Sequence, residues 1–157
     1  MASSQNPHSR SAVVSPGVAS DSVEEGAVLS LDFSKLDAVF GVVPVAVQRA
    51  DTLEVVLLAY TNEEALRETM RTRRLVLWST SRGELWEKGA SSGCRFELVE
   101  ARVNCEQNSL LYLVRPASDA PAASGMCHTK NSAGLPRRGC FYRRIDPDSL
   151  RLSNVEP

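Results

Sequence analysis

The chain has 157 residues, 43% of them hydrophobic and 24% charged, which is enough for one domain with a substantial core. Its net charge of −1 gives no support to nucleic-acid binding, where a strongly basic face would be expected. No apolar run approaches the roughly 18 residues of a membrane-spanning helix, and residues 1–20 are Ser, Pro, Asn and Ala with isolated valines, without the apolar stretch of an export signal.

Residues 1–28 read as a disordered tail of Ser, Pro, Gly and acidic residues, leaving 29–157 as a single domain. A short segment with Leu29, Leu31, Phe33, Leu36, Val39 and Phe40 follows, helical from about Ser34 and stopped at Gly41. Residues 43–48 and 53–60 are aliphatic and β-branched, and the polar 49–52 between them predicts a hairpin. Thr61-Asn62-Glu63-Glu64 matches a capping box, with Thr61 as cap and Glu64 reaching back. The helix it opens is expected to run from Asn62 to about Arg73, with Ala65, Leu66 and Met70 on its apolar side. Residues 75–80 form the next expected strand, and 81–93 a loop in which Leu85 and Trp86 alone look strand-like. Residues 96–105 and 110–115 read as paired strands around the polar turn 106–108. After a loop over 116–124 and an irregular basic stretch over 127–140, residues 141–145 close the chain's strand-like segments. The pattern is α+β, mainly antiparallel β with one clear helix.

Four cysteines stand at 94, 105, 127 and 140. Without an export signal the chain is expected in the cytoplasm, where thiols stay reduced, so cysteines gathered in one half point to metal or catalysis. Cys105, Cys127 and Cys140 are spaced Cys-x21-Cys-x12-Cys, with no CxxC pair. Three thiolates suit zinc and leave its fourth position open to water, although ordinary buried thiols have no different spacing. His128, beside Cys127, is the one histidine outside the expected tail. It is positioned either to move a proton to or from water or to serve as a further ligand or structural contact. In Asn104-Cys105-Glu106-Gln107-Asn108 an extended backbone sends Asn104, Glu106 and Asn108 to one face and Cys105 to the other. The oxygen-bearing face is a candidate magnesium site, the plain alternative being a polar turn. Ser79, Thr80, Ser81, Arg82 and Gly83, with the run from Lys88 through Ser92 to Gly93, offer hydroxyls, backbone N–H groups and cations for phosphate. Lys130, Arg137, Arg138, Arg143 and Arg144 add positive charge, the plain alternative for every residue of this set being solubilising loop charge.

Several stretches in the same order carry a resemblance: 46–48, 57–66, 78–82, 85–89, Ser92-Gly93, Cys127-His128-Thr129 and 140–144. Together, over about residues 43–145, they resemble phosphoribosyl-AMP cyclohydrolase of histidine biosynthesis. The resemblance implies hydrolytic opening of the adenine ring of a phosphorylated nucleotide, phosphoribosyl-AMP. It implies zinc on Cys105, Cys127 and Cys140, and an intertwined homodimer in which Cys105 faces the partner's Cys127 and Cys140. His128 is the expected proton carrier. Ser79, Ser81, Arg82, Trp86, Lys88, Ser92, Gly93 and Arg143 are the expected substrate-binding set, and neither nucleic acid nor membrane is an expected partner.

Three features depart from the family pattern. Members usually carry Asp-Cys-Asp-x-Asp at the first cysteine, where this chain has two amides and one carboxylate, so a magnesium ion would be held more weakly. The last two cysteines normally enclose six residues and here enclose twelve. Cys94 stands where many members have His or Asn, and a fourth thiolate would close the zinc site.

Overall fold

A computed structural model describes residues 24, 27–33 and 41–155. The expected tail falls almost wholly, and the expected helix over 34–40 wholly, outside the described residues. The chain runs β1 (Val43–Arg49), β2 (Val55–Thr61), α1 (Glu63–Thr72), β3 (Val76–Ser79), β4 (Glu84–Glu87), β5 (Phe96–Val103), β6 (Leu110–Pro116), β7 (Arg143–Ile145) and β8 (Leu152–Asn154). The first six strands form one sheet in the order β4-β3-β2-β1-β6-β5, and β7 pairs with β8 as a separate ribbon. No helix among the described residues is long and apolar enough to cross a membrane.

Alternation builds this sheet. Val43, Val45 and Val47 are fully buried on one face of β1, where Ala59 and Leu57 of β2 stand opposite Val45 and Val47. Tyr112 of β6 lies beside Val47 on the same face. Leu66, Leu75, Leu77, Phe96 and Met126 complete the core against it. The other face carries Pro44, Ala46, Leu58 and Tyr60, the last two 58% and 44% exposed. Both expected hairpins, β1–β2 and β5–β6, form, and β1 and β6 lie side by side in parallel. That pairing requires a crossover, which the segment containing α1, β3, β4 and β5 supplies.

The helix begins one residue later than its capping box suggests. Thr61 is fully buried as the last residue of β2, and Asn62 takes over as cap, its Oδ1 accepting from the Ala65 N–H at 2.8 Å. Arg73 ends the helix in the left-handed conformation, with its N–H on the Thr69 carbonyl. Thr69 locks helix to sheet: its hydroxyl donates to the Val76 carbonyl at 2.7 Å and accepts from the Val76 N–H at 3.1 Å. β4 turns the expected 81–93 loop into a strand over its first half, and β8 adds a strand that the sequence reading lacks.

Candidate active site

The edge pair β3–β4 and two later segments, 88–94 and 126–140, enclose a cavity of about 770 Å³. Ser79 enters from the end of β3, and Trp86 and Glu87 from β4. The chain then turns tightly, with the Gly93 N–H on the Gly89 carbonyl at 2.8 Å. Gly89 has φ +88°, and a Cβ there would stand 2.2 Å from the Cys94 carbonyl oxygen, so the turn requires glycine. This close passage puts Lys88, Ser92 and Cys94 on the cavity wall.

Two backbone anchors bring the other thiols in. The Cys140 N–H donates to the Val56 carbonyl at 2.8 Å, docking Cys140 on β2. The Met126 and Cys127 N–H groups donate to the carbonyls of Arg138 and Arg137 at 3.0 and 3.2 Å. Cys127 and Cys140 thus share the cavity and a hydrogen bond between their sulfurs. Burial, then the adjacent Cys127 sulfur, push the Cys140 thiol up to about 11. For Cys127, burial acts upward but is outweighed by hydrogen bonds from the Thr129 hydroxyl (3.0 Å) and N–H (3.5 Å), from Cys140 and from the His128 N–H, so its thiol is lowered. Two adjacent sulfurs on anchored backbone form a donor pair that fits a soft divalent cation.

The remaining charges are unequal. Lys88 is 8% exposed, with its ammonium 5.9 Å from the Phe96 ring centroid. Burial lowers its pKa, and the sulfurs of Cys94, Cys140 and Cys127 oppose that shift. Arg82 reaches the cavity with its Nε on Glu84 at 2.6 Å. His128 is exposed at the rim. Cys94 is buried. Its own burial acts upward, and bonds from the Gly125 N–H and the Ser124 and Ser92 hydroxyls, with the Lys88 charge, hold its thiol below the ordinary value.

Of the expected site residues, Ser79, Arg82, Trp86, Lys88, Ser92, Cys127, His128 and Cys140 line this cavity. Ser81 stands in the exposed turn with its hydroxyl 3.3 Å from that of Ser79, and Gly93 lies behind the wall at φ +76°. Arg143 is on β7, exposed, over the Tyr142 ring at 5.6 Å. None of these three lines the cavity. Cys105 is exposed on the β5–β6 loop and does not line it either. Among the described residues no three His, Cys, Asp or Glu side chains gather into a metal-binding group, so Cys94 does not complete one with Cys127 and Cys140.

The Cys105 loop is not extended. Strand β5 ends at Val103, and Asn104 folds the loop back: its Oδ1 accepts from the N–H groups of Asn108 and Ser109, both at 2.9 Å, and its Nδ2 donates to Asn108 Oδ1 at 2.8 Å. Asn108 Nδ2 in turn donates to Glu106 Oε2 at 2.7 Å. The buried Gln107, at φ +49°, holds the Ser30 N–H and the Val28 carbonyl with its amide. Sequence reasoning passed over that amide, and it passed over Leu57, Met126 and Pro136 as cavity walls, because only the tertiary fold brings them there.

The family model described as Phosphoribosyl-AMP cyclohydrolase matches residues 57–142, which span the cavity from Leu57 to Cys140. The chain belongs to the phosphoribosyl-AMP cyclohydrolase family. It is 42% identical over 111 residues to the phosphoribosyl-AMP cyclohydrolase of Archaeoglobus fulgidus, covering 71% of this chain and 92% of that one. It is 38% identical over 147 residues to the enzyme of the same name from Rhodopseudomonas palustris, covering 94% and 90%. A histidine biosynthesis bifunctional protein of Thermus thermophilus is 45% identical over 105 residues, covering 67% of this chain and 44% of that protein. Membership in the phosphoribosyl-AMP cyclohydrolase family places the chain among hydrolases that act on a cyclic amidine C–N bond.

Proposed function

We propose that this chain opens the adenine ring of phosphoribosyl-AMP by zinc-dependent hydrolysis, in the cytoplasm, as a homodimer whose zinc ligands come from both subunits. The observation that carries this reading is the Cys127–Cys140 pair inside a cavity that also holds Lys88, Ser79 and Arg82. The same cavity offers soft metal ligands and partners for phosphate. Zinc, when bound by Cys127, Cys140 and the partner's Cys105, supplies activation of water at neutral pH.

The chain's own residues account for the rest. Water adds its hydroxyl to the ring carbon that bears the exocyclic nitrogen. The bond from that carbon to the ring nitrogen then breaks, and the nitrogen takes a proton, so the ring opens and no ammonia leaves. His128, exposed at the rim next to Cys127, carries that proton. Lys88, buried and cationic, holds a phosphate with the hydroxyls of Ser79 and Ser92 beside it. Trp86, on the floor of the cavity, offers an aromatic face to the base.

Two features support the dimeric reading. Cys105 is exposed and lies outside its own chain's cavity. The outer sheet face presents Leu58 and Tyr60 unburied, an apolar surface suited to a second copy. A magnesium site at Asn104, Glu106 and Asn108 is weak in this reading, because both asparagine amides are engaged in closing their own loop. The test is turnover of phosphoribosyl-AMP by the zinc-loaded protein, followed as ring-opened product, with and without magnesium. Product formation in both conditions is the expected result, and its absence in both overturns the proposal.

A further inference from the structure

The twelve residues between Cys127 and Cys140 contain no regular strand, as expected, but backbone hydrogen bonds tie their two arms together. They fold into a narrow hairpin that continues the ladder holding Cys127. Beyond the bonds of Met126 and Cys127 to Arg138 and Arg137, the Arg137 N–H donates to the Thr129 carbonyl at 3.1 Å, and the Asn131 N–H to the Leu135 carbonyl at 2.9 Å. Lys130 and Pro136 form a bridge between these rungs. At the tip, Asn131 Oδ1 accepts from the N–H groups of Ala133 and Leu135 at 3.1 and 3.0 Å, and Gly134 turns the chain at φ +77°.

The base of this finger is clamped. Gly125 crosses it so closely that a Cβ there would stand 2.3 Å from the Arg137 carbonyl oxygen. The Arg137 guanidinium, 8% exposed, stacks on the Tyr142 ring at 4.1 Å. The finger therefore extends the segment that carries Cys127, and its Lys130 and Pro136 line the cavity.

Lys130 makes no ion pair among the described residues, whereas Arg82, the other exposed cation of the cavity, is tied to Glu84. The one carboxylate lining the cavity, Glu87, is paired with Arg95 at 3.3 Å. Lys88 and Lys130 thus stand at separate places in one cavity, the first buried and the second exposed. Phosphoribosyl-AMP carries two phosphate groups, one on each ribose. We propose that the finger is a substrate-specificity element and that Lys130 binds one of these phosphates, the other lying with Lys88. This rests on the substrate proposed above.

The test is steady-state kinetics of the zinc-loaded wild type and of Lys130→Ala and Lys130→Arg on phosphoribosyl-AMP. Loss of a charged hydrogen bond made equally in ground and transition states raises KM and leaves kcat in place. Lys130→Ala is expected to raise KM about tenfold with kcat within about twofold, and Lys130→Arg to restore KM. Added salt is expected to raise the wild-type KM more steeply than that of Lys130→Ala, since one screened charge pair is missing in the variant. Unchanged KM in Lys130→Ala, or a fall confined to kcat, overturns the role of the finger. A wild-type enzyme without turnover overturns the substrate instead, so the two failures are separable.

Discussion

Two cysteine-bearing segments of this molecule are built in opposite ways. Cys127 and Cys140 sit on backbone tied into the fold, through Val56, Arg137 and Arg138, with their sulfurs facing inward and touching. Cys105 rides a loop closed on itself by the Asn104 amide and plugged to the chain's first described residues by Gln107, and it is exposed. Both segments are held in place, so the contrast is one of direction: one presents thiols to the chain's own cavity, the other presents a thiol to its surroundings. In the proposed zinc set, the ligands would be complete only when two chains meet. Its halves can then be tested separately.

The sharpest break of the comparison is subunit complementation. Cys105→Ser and Cys127→Ser are each expected to lower turnover by more than about a thousandfold, with loss of bound zinc measured on the same samples. Mixed and allowed to exchange, the two variants form heterodimers with one intact site and one doubly altered site, so activity returns. Two inactive variants that remain inactive after proven exchange would place all three ligands in one chain. A smaller effect is expected at Lys88, the proposed phosphate partner. Lys88→Met keeps the packing against Phe96 and removes the charge, for a loss of about 10- to 100-fold in kcat/KM. Retained kcat/KM would remove Lys88 from binding.

The outward loop should respond in stability before chemistry. Asn104→Ala deletes three hydrogen bonds, and a loss of about 1–3 kcal/mol in urea unfolding is expected. An unchanged midpoint would mean that the loop holds its shape without that amide. The inward pair has a signature in pH. The folded chain raises the Cys140 thiol from 9.0 to about 11. Its contribution to stability is thus complete below pH 9 and is lost as pH rises from 9 to 11. Metal-free protein should therefore melt at falling temperature across that window, and Cys140→Ser should flatten the fall. An identical slope in the variant would assign the alkaline loss to other groups.

Runs of β-branched and aliphatic residues with polar turns between them made β1, β2, β5 and β6 legible in advance. The helix was legible too, but its cap shifted from Thr61 to Asn62 since burial of Thr61 in β2 outweighed the local capping pattern. β4 and β8, four and three residues long, are too short to display a period. Of the two readings open at 104–108, the polar turn is the one that forms, closed by the Asn104 and Asn108 amides.

For the site, residue chemistry raised Cys127, Cys140, His128, Lys88 and Arg82 as candidates, each beside a plain structural reading, and the ordered family-like motifs set them apart. Which of these share a cavity was a matter of long-range pairing. The parallel β1–β6 contact, the docking of Cys140 on Val56 and the crossing of Gly125 over Arg137 join residues far apart in the chain. No local pattern encodes such contacts. They also turned Lys130 from one more surface charge into a member of the cavity and left Cys105 outside it. The amino-acid order set the chemistry that is available, and packing across the sheet decided where each group of it can act.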